Sequence, residues 1–479
     1  MADQQQEQYN ISGGTNQVAA NVGSQVQNFY GDEFIRKMAN RKEHPITMVV
    51  TGADVDATLG LPTSANLIPR IADFLATDEG KAIDAALRKA VGSVRFSFDK
   101  FVEKAVDDLA QNLDRELVAI YRNVNRELES NGSLTDDHRK LGKLIVLLFH
   151  KIIDVKENAS IDSETEGLIQ DVLGTNVTDD TIIDFSRLSY TETFRTVIVE
   201  ILRKSMHESD NPILRHVYRN IFDIDQLLSQ YFYGFYQDRP GYIRTYMYIS
   251  WILWAYLISE EQRIAAAHAE DSTLPDMPAV YTQLRGMDAD IVTFCYTSFA
   301  RTAKPAAHYF HGSLMEYVDV ENKNDIPLGN LQTLDILDFF QHRLARQINF
   351  GTSDDPHRSL PIPSFLPPLK LKPVISKRYI DVWYQTGEML KHAKRIILLG
   401  VTLSTVDPDF ADMLRESQAE SITIITRDLP AASAALCRIL QLSSHAYTPC
   451  EVSGHEARKY GNRIIVIEAA PDDINLEAI

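Results

Sequence analysis

The sequence predicts an α/β fold: a doubly wound, Rossmann-like parallel sheet, split by a large helical insertion and preceded by a polar N-terminal tail. Three observations carry this. Short, continuous β-branched runs recur at residues 46–50, 291–296, 308–310, 395–399, 421–426 and 463–467 and alternate with helical stretches, as strands buried on both faces of a parallel sheet do. Residues 111–285 keep helical spacing through most of their length. Residues 45–70 read as strand, glycine turn and helix, an arrangement in which backbone N–H groups and a helix N-terminus converge on one point.

In chain order, residues 4–28 hold seven Gln and four Asn, too little apolar surface to fold alone, so residues 1–33 form the tail. Val18, Val22 and Val26 recur every four residues, but Gly23 and Gly13-Gly14 weaken a helix there. A short polar helix over 32–42 leads into the opening strand, and residues 34–110 are the first part of the α/β domain. After the small-residue loop 52–60, Phe98, Phe101, Val102, Ala105, Val106 and Leu109 begin an i, i+3, i+4 stripe that runs to Leu128. Asn131-Gly132 is a turn; helices are expected over 141–153, 201–236 and 242–267. Residues 245–258 are the longest apolar run, short of the roughly 18 that a membrane span needs, so Trp251 and Trp254 are read as core. Residues 286–479 form the second part of the α/β domain, with helices over 380–392 and 408–417 and a proline-rich extended strap over 356–373.

With 479 residues, 44% of them hydrophobic and 24% charged, the chain has the composition of an ordinary soluble protein of more than one domain. Its net charge of -18 argues against nucleic acid or an anionic membrane as main partner, because both select basic surfaces. Cys295, Cys437 and Cys450 are too few and too scattered for a disulfide framework or a four-thiolate zinc site. A reducing, cytoplasmic setting is the expectation.

Ligands of doubly wound sheets bind beyond the carboxyl ends of the strands, where the strand order reverses. The residues at these ends are Gly52, Ala53, Asp54 and Asp56; Cys295 to Thr297; His311, Gly312 and Ser313; and Gly400 to Asp407. His308, adjacent to the β-branched run at 291–296 but pointing to the opposite face from His311, reads as a packed histidine. Asp407 before Pro408 reads equally as a helix cap.

These residues resemble the sirtuin-like NAD-binding domain, especially its bacterial NAD-hydrolysing immune effectors. The family pattern is strand, Gly-Ala-Gly-x-Ser, three residues, then Gly-Ile/Leu-Pro-Thr/Ser. The chain has Gly52-Ala53-Asp54-Val55-Asp56, then Gly60-Leu61-Pro62-Thr63. Thr-Phe-Asn-Tyr-Thr and Ile-His-Gly-Ser-Leu match Thr293-Phe294-Cys295-Tyr296-Thr297 and Phe310-His311-Gly312-Ser313-Leu314. The proline strap, Trp383 and the turn Gly400-Val401-Thr402-Leu403 ending at Asp407 complete the set, which covers about 45–80 and 288–430.

The resemblance implies cleavage of NAD+ to nicotinamide and ADP-ribose, with His311 as base. Gly52, Ala53, Asp54, Asp56, Pro62, Thr297, Gly400, Thr402 and Asp407 would then bind the cofactor. Cys295 stands where the family has its catalytic asparagine, and a thiol is a weak substitute for an amide that holds water. Asp54 stands where the family has glycine. A carboxylate about 4 Å from a phosphate costs roughly 4 kcal/mol at an effective dielectric near 20. Either Asp54 and Asp56 turn to sugar hydroxyls, or a divalent cation intervenes, or the cradle is empty. No Cys-x-x-Cys is present, so neither the zinc ribbon nor the protein deacylation of true sirtuins is expected. The implied role is NAD+ depletion in anti-phage defence by abortive infection, performed by a homo-oligomer with or without a second defence protein. The alternative is a catalytically silent nucleotide-binding or assembly subunit that works with a partner protein.

Overall fold

Six of the strands align side by side in parallel. The computed structural model describes residues 46–63, 66–111, 116–155, 163–173, 190–205, 211–221, 228, 231–232, 234, 237–352, 356–367, 376–401 and 408–476. The tail and the helix expected at 32–42 lie outside them. Thr47–Ile479 form one unit.

The strands are β1 (Thr47–Thr51), β2 (Ala289–Thr293), β3 (His308–Tyr309), β4 (Gly312–Asp319), β5 (Asn324–Pro327) and β6 (Pro361–Phe365). They continue as β7 (Arg395–Leu399), β8 (Ser421–Thr426), β9 (Thr448–Val452), β10 (His455–Tyr460) and β11 (Ile464–Glu468). An eight-stranded sheet has the order β3-β2-β1-β7-β8-β11-β10-β9. Its first six strands pair in parallel, with Val50 opposite Val292 on one side and Leu398 on the other. β9 and β10 close the far edge as an antiparallel hairpin. Val49, Ile291, Ile397 and Ile425 join one apolar core, while Val50, Val292, Leu398 and Ile424 join another. Both faces are therefore buried, which is why these strands carry continuous apolar runs instead of alternation.

The helices begin with α1 (Ala53–Asp56), α2 (Leu67–Ala76) and α3 (Asp78–Val91), which is capped by the Thr77 hydroxyl accepting from Gly80 N at 3.0 Å. They continue through α4 (Phe98–Gln111), α5 (Glu116–Ser130), α6 (Asp136–Val155), α7 (Ser163–Leu173), α8 (Tyr190–Ser205) and α9 (Pro212–Ile221). The turn at Asn131 holds: its side-chain oxygen accepts from Ser133 N at 2.9 Å. The helical stretch expected over 201–236 is interrupted at Asn211, where α9 starts: Asn211 Oδ1 accepts from Ile213 N at 3.0 Å and Pro212 takes the first helical position. An Asn-Pro pair caps a new helix because proline has no N–H to continue the old one.

α10 (Pro240–Glu270) is the longest helix among the described residues, buried on all sides from Tyr246 to Ile258. No described helix is long and apolar enough to cross a membrane. Its apolar girth is covered by protein instead. Trp251 Nε1 donates to Pro361 O at 3.0 Å and Trp254 Nε1 to Leu314 O at 2.9 Å. α10 thus seats a second sheet, antiparallel β5-β4-β6, with Phe339 and Phe340 packed on the same indoles. This sheet corrects two expectations. The proline strap is β6 over part of its length, its residues 368–373 lying outside the described set, and Gly312 opens β4 instead of ending a strand exit. α11 (Ala279–Gly286) and α12 (Phe299–Ala303) flank β2, and α13 (Lys377–His392), α14 (Pro408–Glu416) and α15 (Leu429–Ile439) accompany β7 and β8.

Candidate functional site

The strand order reverses between β1 and β7: the chain steps outward through β2 and β3 on one side and through β8 and β11 on the other. Crevices at such a point, at the carboxyl ends of the strands, are where open α/β sheets take ligands. Gly52 leaves β1 in extended conformation and donates to Leu399 O at 2.9 Å, and Asp54 N donates to Gly400 O at 3.4 Å. A Cβ on Gly52 would fall 2.4 Å from Gly400 O, and one on Gly400, whose φ is +58°, would fall 2.7 Å from Asp54 Cβ. Only glycine permits this approach of the two exits.

Residues 53–59, expected as an open loop, coil into α1 and a following 3-10 turn (Ala57–Leu59) that ends at Gly60 with φ 84°. Alanine, valine and aspartate after an extended Gly52 close one helical turn and leave no open loop. Four residues carry little helix dipole, so the cradle at this exit is built by backbone contact. Ala53 is exposed, Asp54 half-buried and Pro62 buried. Thr402 and Asp407 lie outside the described residues.

Next to these exits is a buried polar nest. Thr297 Oγ1 donates to Asp56 Oδ2 at 2.7 Å, joining the exits of β1 and β2. Thr51 Oγ1 donates to Thr293 Oγ1 at 2.8 Å and meets Tyr281 Oη at 3.2 Å, and Cys295 N donates to Thr293 Oγ1 at 3.1 Å. Tyr309 Oη donates to Thr297 O at 2.8 Å. One step further, Glu261 of α10 accepts from Ser298 N at 3.2 Å and from the Ser298 hydroxyl. Asp56 is 4% exposed, and its Oδ1 has no hydrogen-bond partner among the described residues.

Burial dominates the electrostatics. It pushes the Asp56 carboxyl up to about 7, with Glu261 adding repulsion and Thr297, Cys295 and Tyr281 favouring the ionised form. Glu261 is raised by burial as well. The Cys295 thiol is held well above its ordinary range, by burial first and by Asp56 second. It stays protonated at neutral pH and is no nucleophile.

His311, at the exit of β3, is 7% exposed. Its ring lies 4.9 Å from that of Phe294 and 5.1 Å from that of Phe310, and its carbonyl accepts from Leu366 N at 2.6 Å. Phe410 of α14 packs on both phenylalanines, and Trp383 Nε1 donates to Phe310 O at 2.9 Å. His308 is half-buried.

The chain therefore brings Gly52, Asp54 and Gly400 into one contact group and Asp56, Cys295 and Thr297 into a second. His311 stands on the adjacent strand end, with Phe294 against it. Sequence reading held Thr293 only as part of the Thr293–Thr297 motif and missed Glu261, Tyr281, Ser298 and Thr51. Glu261 had one signal, an acidic residue directly after the apolar run of α10; the others had none. No family model matches the chain, and no curated protein or solved structure matches it either.

Proposed function

We propose that the chain is a sirtuin-like NAD+ hydrolase that releases nicotinamide and ADP-ribose, in a doubly wound domain split by its helical block. One observation supports the reading: Gly52 to Asp56, Cys295 to Thr297, His311 and Gly400, which belong to the segments that resemble the sirtuin-like pattern, follow the ends of β1, β2, β3 and β7 around the reversal point, where Gly52 and Gly400 touch. Nicotinamide leaves a cationic precursor as a neutral base, through an oxocarbenium-like transition state, so no strong general acid is required. The site needs an oriented dinucleotide, a water near the anomeric carbon and an acceptor for its proton. Gly52, Ala53 and Gly400 hold the cofactor; His311 takes the proton. NAD+ depletion during anti-phage defence, in a cytoplasmic homo-oligomer, is the corresponding biological role.

A second reading is favoured by one specific observation. Cys295, where an amide is expected, is a buried and protonated thiol, as it would be in a silent nucleotide-binding or assembly subunit. Incubation of the purified chain with NAD+, alone and with candidate nucleotide triggers and genomically neighbouring proteins, separates the two by nicotinamide release. Turnover that His311→Ala abolishes supports the hydrolase. Its absence under every condition, from folded protein, supports the silent subunit.

A further inference from the structure

Among the described residues, Asp56 is a buried carboxyl group with an unpartnered oxygen that lies at a strand exit of the sheet. It is 4% exposed, lies beyond the carboxyl end of β1 beside the reversal point, and has one carboxylate oxygen fixed by Thr297 and the other without a partner among the described residues. Leaving a buried acceptor unpaired is costly, so a fold that keeps one at a ligand-binding edge implies a donor supplied from outside the chain. Cys295 and Tyr281 face the same carboxyl group, but the thiol is only a weak donor and the Tyr281 hydroxyl meets Thr51 Oγ1 at 3.2 Å, so neither completes the second oxygen. A hydroxyl or water brought in with the ligand is the donor that fits.

We propose that Asp56 holds the attacking water of this site, its second carboxylate oxygen accepting the hydrogen bond that aims the water at the anomeric carbon. This rests on the NAD+ hydrolase reading above. In the step, the water oxygen forms a bond to the anomeric carbon as the bond to nicotinamide breaks. The bonding electron pair returns to the pyridinium nitrogen, which becomes neutral. The water's proton passes to His311 and from there to solvent. Thr297 is the positioning residue, because its hydroxyl fixes the orientation of the carboxyl group.

Asp56 accepts as a carboxylate, so turnover rises as it ionises, near pH 7 given its raised value of about 7. The groups that face it are Glu261 of α10, Tyr281 of α11, Cys295 and Thr297 after β2, and Tyr309 of β3; Asp54 is on its own helix.

The test uses the purified full chain and NAD+ as probe. Calorimetric binding and nicotinamide release are measured across the pH range for the wild type, Asp56→Asn and Thr297→Val. For Asp56→Asn, NAD+ affinity stays within about threefold while kcat falls by about 100-fold, and the rise near neutral pH disappears. In Thr297→Val the rise moves to higher pH, because a bond to the charged form is lost. Wild-type kcat, or an unaltered pH profile, in Asp56→Asn overturns the proposal. So does a wild-type chain that binds NAD+ without cleaving it. A wild-type chain that does not bind NAD+ overturns the dinucleotide reading first and the inference with it. Should Asp56→Asn not fold, the Thr297→Val profile decides alone: a shifted rise supports the proposal and an unshifted one overturns it.

Discussion

At Asp56 the burial that raises the carboxyl group also destabilises the fold at neutral pH. The carboxyl moves from 3.8 to about 7 on folding, so between these values the native chain binds a proton that the unfolded chain does not. Its contribution to stability is complete below the lower value, falls as pH rises through the upper one, and is constant beyond; the difference is on the order of 4 kcal/mol. Glu261 acts in the same direction. Urea unfolding of Asp56→Asn and the wild type at about pH 5 and about pH 8 is expected to show the variant gaining relative stability at the higher pH; an equal difference at both values sinks this account. None of it was legible in the sequence beyond the presence of an acid. The Asp56 partner Thr297 is 241 residues away, and the repulsion first expected of Asp56, toward a phosphate, is replaced by a bond to a threonine inside the protein. Gly52 and Gly400 were legible as turn glycines, whereas their mutual contact became visible only when β1 and β7 paired.

Elements were read best where one physical cause dominates. The parallel strands announce themselves because burial on both faces demands unbroken β-branched runs, and the six expected strands all form, the second ending three residues early, at Thr293. β6 stayed hidden because Pro361 and Pro363 argue against a strand interior; it survives as the edge of a small sheet, where missing N–H groups cost little. α15 stayed hidden because its start is made by Asp428, whose side chain accepts from Ala431 N at 2.9 Å, in a stretch of alanines without a marked stripe. α10 was legible as a core helix, and its indoles do more than fill space: each also satisfies a backbone carbonyl of the second sheet. Trp254→Ala removes a fully buried ring and leaves Leu314 O without its indole donor. We expect a loss of about 3–5 kcal/mol in thermal or denaturant unfolding, against about 1 kcal/mol for an exposed helical site such as Tyr384→Ala; comparable losses at both positions would mean that α10 is not the seat of the second sheet.

On the scale of the whole molecule, charge bears on the proposed dinucleotide site at the reversal point. The chain carries a net -18, and the groups around the reversal point add Asp54, with Asp56 and Glu261 behind it. If the chain takes NAD+ as proposed, a dinucleotide with two phosphates and one pyridinium is repelled at long range and must be held at short range by backbone contacts that bear no net charge. Salt weakens the first and leaves the second almost untouched, since screening acts over roughly 30 Å at about 0.01 M ionic strength and only about 8 Å at about 0.15 M. Affinity for NAD+ should rise by about threefold across that interval, measured by calorimetry at constant pH. A basic phosphate site behaves in the opposite way, losing affinity as salt is added. A fall in affinity with salt would thus place the phosphates against arginine or lysine side chains, away from the Gly52–Gly400 contact, and would move the dinucleotide to another face of the sheet.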